Sequence, residues 1–193
     1  MRNYIFLGII IVLIIGVIAF LTLSKQQSKE VTTSSGEQVT TGLSEGQEIE
    51  TAEEGKLAPD FTLVDFEGKT VKLSDLKGKP VFIDFWTKWC PFCIDEMPEI
   101  EKIHKEFGDQ IVVLGIHRTN TESASVGEDF ARKDIKVTYQ ILQDKDDEVY
   151  KAYTPGFAGM PVAAWIDKDG VLVKLKIGPK TTEEMRDNVE AIL

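Results

Sequence analysis

The chain is poor in the side chains that build metal centres and disulfide frameworks. It contains two cysteines and two histidines in 193 residues. A framework of several disulfides is therefore excluded, and a metal site built on the two cysteines would lack further cysteine ligands. Basic residues are also in deficit, with 22 Lys and Arg against 32 Asp and Glu and a formal net charge of -10. This balance argues against a nucleic-acid-binding protein and against adsorption to membranes through basic patches.

Charged residues are absent from the segment Tyr4–Leu23, which consists mostly of Ile, Leu, Val and Phe. A helix of this length crosses about 30 Å of hydrocarbon. Arg2 precedes the segment, which favours a cytoplasmic N-terminus. We therefore predict a transmembrane anchor over residues 1–23, with the remainder of the chain outside the cytoplasm. A cleaved signal peptide is the alternative, and it places the remainder on the same side.

Large apolar residues are scarce in the next segment, residues 24–56. It is rich in Ser, Thr, Gly and Gln and carries seven Glu against three Lys. Such a composition buries too little apolar surface to offset the entropy of ordering, so the sequence predicts a disordered acidic tether. Residues 57–193 are numerous enough for one compact domain with its own core.

Strand and helix patterns alternate along residues 57–193. The apolar run Val81–Trp86 is typical of a central strand buried on both faces, and Asp167–Gly170 is a hairpin turn signal. The predicted strands are Phe61–Val64, Thr70–Leu73, Val81–Trp86, Ile111–Ile116, Tyr139–Leu142, Val162–Ile166 and Val171–Ile177, and the predicted helices are Pro91–Phe107, Glu122–Lys133, Asp146–Tyr153 and Thr181–Leu193. This order predicts an α/β fold whose central mixed sheet has helices on both faces.

Both cysteines lie at the start of a predicted helix, in the motif Trp89-Cys90-Pro91-Phe92-Cys93. The free N–H groups and the dipole of a helix N-terminus stabilise a thiolate at Cys90. Cys93 lies one turn further on and can close a disulfide with it. A purely structural disulfide is the alternative, but so short a loop gives little entropic stabilisation. The motif therefore favours a redox-active pair.

Two acids accompany the cysteines. Asp84 lies inside the most apolar strand, six residues before Cys90, and Glu96 follows Cys93 by three residues on nearly the same side of the helix. A thiol in apolar surroundings needs a base to remove its proton. We predict Asp84 as the first candidate for that base and Glu96 as the second.

These motifs together resemble the thioredoxin superfamily, and most closely the membrane-tethered thioredoxin-like proteins of bacteria typified by TlpA and ResA. The resemblance covers residues 57–193. Besides the cysteine motif and Asp84, it rests on Pro98, which should kink the helix, and on Met160-Pro161 before a strand. It implies a thioredoxin fold with an N-terminal β-hairpin and a βα insertion, and a cis Pro161 beside the disulfide.

The resemblance also implies an activity, a location and partners. The chain would be a thiol–disulfide oxidoreductase of the bacterial cell membrane, with no cofactor beyond the redox-active disulfide Cys90–Cys93. Cys90 would attack a substrate disulfide and Cys93 would resolve the mixed disulfide. Protein substrates such as apocytochrome c and a transmembrane thiol electron donor would be its partners. The residues expected to contact the substrate are Trp89, Phe92, Met160 and Pro161.

Three alternatives remain at this stage. Because Pro91-Phe92 differs from the Gly-Pro of thioredoxin, and because this dipeptide tunes the reduction potential, the chain could instead be a disulfide oxidase or isomerase. A copper-binding protein of the Sco type shares the fold. Sco proteins carry the motif C-x-x-x-C and a distant histidine, whereas this chain has C-x-x-C, and His117 is the candidate for the histidine. A peroxidase is less favoured, because Cys93 fits disulfide exchange better. Otherwise His104 and His117 are expected to be ordinary surface or loop residues.

Overall fold

The computed structural model describes residues 50–157 and 159–193. The predicted anchor, residues 1–23, and most of the predicted tether lie outside this part of the chain. None of the helices within it combines the length and the apolar character needed to cross a bilayer.

The predicted strands and helices of residues 57–193 are present, with ends that differ by a few residues. The strands are β1 Thr62–Asp65, β2 Thr70–Lys72, β3 Val81–Trp86, β4 Val112–Arg118, β5 Gln140–Asp144, β6 Val162–Ile166 and β7 Leu172–Ile177. The helices are α1 Pro91–Phe107, α2 Ala124–Asp129, α3 Glu148–Tyr153 and α4 Thr182–Glu190.

The strands form one mixed sheet in the order β2-β1-β5-β4-β3-β6-β7. β3, β4 and β5 pair in parallel, whereas β6, β7 and the β1–β2 hairpin add antiparallel pairs. β3 is central and every one of its residues is buried. On it, Asp84 lies opposite Gly115 of β4 and Ala163 of β6.

Helices cover both faces of the sheet, and successive side chains of a strand point to opposite faces. Phe82 and Trp86 of β3 pack with residues of α1 and α4, while Ile83 and Phe85 pack with residues of α3 on the other face. Since Asp84 lies between Phe82 and Trp86 in this alternation, it belongs to the α1 face. The fold is thus the predicted thioredoxin fold, a mixed central sheet with flanking helices.

The helix predicted over Glu122–Lys133 differs most from the structure. α2 spans Ala124–Asp129, and a π-helical segment, Phe130–Ile135, continues it. The consecutive residues Phe130 and Ala131 of this segment are both buried in the core on the α1 face. A wider helical turn has no signature in a pattern of period 3.6, so it could not be predicted from the residues alone.

Residues 52–56, assigned above to the tether, contact the domain through main-chain hydrogen bonds. The Ala52 N–H donates to Ala152 O, the Gly55 N–H donates to Leu172 O, and the Leu172 N–H donates to Lys56 O, each at 2.8 Å. Because these bonds need no large apolar side chain, composition does not reveal them. The folded part of the chain therefore begins earlier than residue 57.

Candidate active site

Cys90 and Cys93 form a disulfide where β3 leads into α1. Their Cα atoms are 5.3 Å apart. Cys90 is the N-cap of α1, with extended backbone, and Pro91 takes the first helical position, where its missing N–H costs nothing. The Cys93 N–H points at Cys90 Sγ, 3.2 Å away. The short connection after a buried strand thus places Cys90 at the positive end of the helix dipole, as predicted.

The two sulfurs differ in access. Cys90 lines a groove of about 330 Å³, whereas Cys93 has no exposed surface. Cys90 itself is only 3% exposed, so it is reached through the groove rather than from an open surface. Trp89 and Phe92 stand beside it, each more than half exposed. The complete lining is Trp89, Cys90, Pro91, Phe92, Arg118, Gly159 and Met160.

The Met160–Pro161 peptide bond is cis, as the resemblance implied. Three hydrogen bonds hold this loop. The Gly178 N–H donates to the Pro161 carbonyl oxygen at 2.9 Å. The Tyr150 hydroxyl donates to Gly159 O at 2.6 Å and accepts the Gly159 N–H at 3.0 Å. The loop that borders the groove is therefore fixed from both sides.

Asp84 and Glu96 are brought together by a residue that the sequence analysis did not identify, Lys180. The Lys180 ammonium lies 3.0 Å from Asp84 Oδ1 and 2.5 Å from Glu96 Oε2. The main-chain N–H of Lys180 also donates to Glu96 Oε1 at 2.7 Å. The side chains of Asp84 and Lys180 are fully buried and that of Glu96 nearly so. Asp84 Oδ2 has no hydrogen-bond partner within the described part of the chain.

This buried ion cluster shifts the proton affinity of Asp84. Burial raises the pKa of Asp84 to about 6, since the attraction of the Lys180 ammonium offsets only part of the desolvation and the charge of Glu96 adds to it. Burial alone would lower the pKa of Lys180, but the negative charges and hydrogen bonds of Asp84 and Glu96 outweigh this effect. The pKa of Lys180 is therefore raised. Lys180 therefore stays charged, while Asp84 exchanges a proton close to neutral pH.

A weak signal for Lys180 was present in the sequence. Asp84, predicted to lie inside an apolar strand, requires a cation nearby, because a buried unpaired carboxylate is very costly. Lys180 follows Gly178-Pro179 and precedes the cap of α4, Thr181, whose hydroxyl accepts the Glu184 N–H. A lysine before a helix usually faces solvent, however, and nothing local distinguished this one.

The loop before Cys90 is held by Glu122, a second residue that the sequence analysis missed. Glu122 Oε1 accepts the Lys88 N–H at 2.6 Å and lies 2.7 Å from His117 Nε2. The neighbouring Thr121 hydroxyl accepts the Trp89 indole N–H at 3.1 Å. The segment after β4 thus fixes the position of the segment that carries Trp89 and Cys90.

His117 is not the surface or loop residue expected above. It lies within β4, fully buried, and its ring stacks on Trp86 with centroids 4.6 Å apart. Gly127 packs directly over the ring, where an added Cβ would lie 2.2 Å from Cε1. Burial lowers the pKa of His117, although Glu122 opposes the shift. Within the described residues, no group of three or more His, Cys, Asp or Glu side chains is arranged to hold a metal ion.

Comparison with known proteins agrees with this geometry. Residues 55–175 match the AhpC/TSA family. The thiol–disulfide oxidoreductase ResA of Geobacillus thermodenitrificans is 34% identical over 141 residues, which cover 72% of this chain and 77% of ResA. The thioredoxin-like protein YneN of Bacillus subtilis is 32% identical over 140 residues, 72% of this chain and 79% of YneN.

A solved structure is also similar, that of the exposed lipoprotein thioredoxin of Streptococcus pneumoniae. Its TM-score is 0.59 and its identity 32%, and the match covers 68% of this chain and 98% of that one. The disulfide at the start of α1, the thioredoxin fold and these relatives lead to one conclusion. The chain belongs to the AhpC/TSA family and is a ResA-like thiol–disulfide oxidoreductase.

Proposed function

We propose that this protein is a membrane-anchored, extracytoplasmic reductase of protein disulfides. The observation that supports electron flow from this protein to its substrate is the cluster of Asp84, Glu96 and Lys180, which contains two carboxylates and one ammonium. With Asp84 ionised, the cluster is net negative, and negative charge disfavours a strongly stabilised thiolate. A strong disulfide donor needs such a thiolate, because stabilising the reduced form is what makes it oxidising.

The reaction begins at Cys90. Its thiolate attacks one sulfur of a substrate disulfide, the substrate S–S bond breaks, and the other substrate sulfur leaves as a thiolate. Cys93 then attacks Cys90 Sγ, which forms the Cys90–Cys93 disulfide seen here and releases the second substrate sulfur. Two electrons pass from the dithiol to the substrate, which leaves as a dithiol.

Asp84 is the residue that we assign to remove the Cys93 proton. Its pKa of about 6 makes it ionised yet basic at neutral pH, which suits a general base. Glu96 is less suited to that role, because Lys180 engages both of its oxygens. We assign Glu96 and Lys180 to holding Asp84 in this state. The released proton then rests on Asp84 Oδ2 rather than on Oδ1, which lies 3.0 Å from Lys180 Nζ.

Trp89, Phe92, Met160 and Pro161 are assigned to the substrate. Trp89 and Phe92 present apolar surface at the mouth of the groove, and Met160 forms its wall. Pro161 follows Met160 in the loop that borders the groove, where an extended segment of a substrate can contact both residues.

The anchor and the location are proposed from the apolar segment Tyr4–Leu23 and from the resemblance to tethered relatives. In an oxidising compartment the disulfide must be reduced again after each turnover. We propose a transmembrane thiol-transfer protein as the electron donor, and apocytochrome c as one substrate.

The redox state in cells tests the direction. Growing cells are quenched with acid, and free thiols are tagged with a reagent that adds mass. A reductase is expected to carry Cys90 and Cys93 mostly as thiols, even though its surroundings are oxidising. A pair that is mostly disulfide at steady state contradicts the proposal and favours the oxidase.

Trapping identifies the substrates. The full-length Cys93→Ala variant retains the attacking sulfur but not the resolving one, so mixed disulfides through Cys90 accumulate. Cys90→Ala/Cys93→Ala is the matched control. Trapped apocytochrome c supports the proposed pathway, whereas a broad set of secreted proteins favours an oxidase or isomerase. Recovery of the chain in the soluble fraction of lysed cells would contradict the membrane anchor but not the reductase activity.

A further inference from the structure

Arg118, at the end of β4, lines the groove that leads to Cys90. Its guanidinium is held on an edge and on a face. The edge donates to the Asp147 carboxylate, from Nε to Oδ1 at 2.8 Å and from Nη2 to Oδ2. The face lies over the Tyr150 ring, with Cζ 3.7 Å from the ring centroid. Arg118 is therefore a rigid part of the groove wall rather than a mobile surface side chain.

Donors of Arg118 remain free after these contacts. A guanidinium has five N–H groups, and the Asp147 fork uses two of them. Nη1 has no hydrogen-bond partner among residues 50–157 and 159–193. The side chain is 13% exposed. Spare donors thus remain on a preorganised residue that lines the same groove as Cys90.

The residue that supports Arg118 also holds a second residue of the groove lining, Gly159. Tyr150 stacks under the guanidinium with its ring and binds both main-chain groups of Gly159 with its hydroxyl. Gly159 lies two residues before the cis proline, and Phe157 packs against it so closely that a Cβ there would lie 2.4 Å from Cε1 of Phe157. One aromatic side chain, Tyr150, therefore fixes the positions of both Arg118 and the loop that contains Pro161.

We propose that Arg118 is a substrate-binding residue, which donates hydrogen bonds to an oxygen acceptor of the polypeptide segment that flanks the substrate disulfide. The acceptor is a main-chain carbonyl or a side-chain carboxylate of that segment. Planar guanidinium groups bind either oxygen well, and best when their own position is fixed. This inference rests on disulfide exchange itself and holds for either direction of electron flow and for either location.

Two substrates of different size test it. The full-length protein, with Cys90 and Cys93 reduced, is assayed with two substrates. One is hydroxyethyl disulfide, which has no peptide flank, and the other is a peptide disulfide that carries Glu beside one cysteine. Arg118→Gln is expected to lower kcat/KM for the peptide by about tenfold or more, the effect of losing a charge-assisted hydrogen bond. The rate with hydroxyethyl disulfide should stay within about twofold of the wild type.

A second peptide, with Gln in place of Glu, separates the two acceptors. An equal loss with both peptides assigns the contact to a main-chain carbonyl. A greater loss with the Glu peptide assigns it to the carboxylate. Either result supports the proposal.

Matched variants exclude a structural effect. Arg186 also makes a two-pronged contact with a carboxylate, that of Glu106, at 2.9 and 2.8 Å, but it lies on α4 and does not line the groove. Arg186→Gln should leave both rates unchanged. Because Arg118→Gln leaves the Asp147 carboxylate without its guanidinium partner, Arg118→Gln/Asp147→Asn provides a second variant without that negative charge.

Two results would overturn the proposal. One is an unchanged kcat/KM for both peptides in the Arg118 variants. The other is an equal loss with hydroxyethyl disulfide and with the peptides, which would assign Arg118 to the shape of the site rather than to the substrate.

Discussion

Lys180 Nζ lies 3.0 Å from Asp84 Oδ1 in the interior of the domain, between the centre of β3 and the residue before the cap of α4. The same ammonium binds Glu96, and its neighbour Gly178 binds the Pro161 carbonyl oxygen. One short loop thus joins the predicted base to the cis-proline loop. Four predictions test whether the structural contacts act as assigned.

Lys180→Met should shift the pH dependence of exchange upward. Without the ammonium, the pKa of Asp84 rises further above about 6, because burial and Glu96 then act unopposed. A larger share of Asp84 is protonated at pH 7, and the rate there should fall about tenfold, as expected for loss of an opposite charge at this distance. The measurement is the rate of peptide disulfide reduction from pH 5 to pH 9.

The control for this variant is Lys176→Met, since Lys176 pairs with the more exposed Glu184 at 2.8 Å. Lys180→Met/Glu96→Gln removes one buried charge of each sign and serves if the single variant folds poorly. A pH profile that is the same in all three variants as in the wild type would show that Lys180 does not act on Asp84.

Asp84→Asn should change how stability depends on pH. The folded pKa of Asp84 is raised to about 6 from the ordinary 3.8, so the native state binds this proton more tightly than the unfolded state does. The resulting stabilisation is present below about pH 4 and is lost as the pH rises through about 6. The free energy of unfolding of the variant minus that of the wild type should therefore rise by about 2.5 kcal/mol between pH 4 and pH 7.5.

Chemical denaturation of the oxidised protein at several pH values measures this difference. Asp144 also has a pKa raised by burial to about 6, so it contributes to the wild-type curve and stays in the variant as an internal reference. A difference that is constant over the pH range would mean that Asp84 carries no raised pKa.

Glu122→Ala should loosen the segment before Cys90. The variant removes the acceptor of the Lys88 N–H and leaves His117 Nε2 without its partner. Leaving the buried His117 ring without its partner costs about 1–3 kcal/mol, and local opening should become easier. Amide hydrogen exchange at Lys88 and Trp89 should accelerate about tenfold or more in the variant.

The comparison for Glu122 is Asp129→Ala, which removes an exposed carboxylate paired with Lys133 on the same stretch of chain. That variant should leave exchange at Lys88 unchanged. Equal protection of Lys88 in the Glu122 variant and the wild type would refute the role given to Glu122.

Tyr150→Phe should weaken the substrate groove without unfolding the domain. The hydroxyl that binds both main-chain groups of Gly159 is lost, while the ring under Arg118 remains. We expect kcat/KM for a peptide disulfide to fall about three- to tenfold, since a hydrogen bond that orders the loop is worth about 1 kcal/mol. The rate with hydroxyethyl disulfide should change less.

Tyr153→Phe is the matched control, because the Tyr153 hydroxyl donates to Pro59 O at 3.0 Å and neither residue lines the groove. Both variants should lose similar stability, but only the Tyr150 variant should lose activity toward peptides. Parallel losses in both would reduce the role of Tyr150 to packing.

The parts of this protein that could be predicted from sequence are those with local signals. Val81–Trp86 is apolar except for Asp84, and the cysteine motif follows it within four residues. These patterns were sufficient to predict a central strand, a buried Asp84 and a disulfide at a helix start. The resemblance added the cis peptide before Pro161.

The rest of the site depends on contacts between distant segments. Lys180 meets Asp84 only because α4 and α1 pack on the same face of the sheet, and Arg118 meets Tyr150 only because β4 and β5 pair in parallel. His117 carries no local sign of burial, since it adjoins Arg118 and a Thr-Asn-Thr loop that look exposed. Fold topology, and not composition, determines which polar residues become buried partners.

The most direct test of the central claim is a redox titration of the purified protein in thiol–disulfide buffers, followed by alkylation of the reduced form. The account predicts one two-electron transition between the Cys90–Cys93 disulfide and the dithiol, with Cys90 alkylated before Cys93, since only Cys90 lines the groove. A pair that cannot be reduced under any such buffer, or two thiols that react equally slowly, would contradict it.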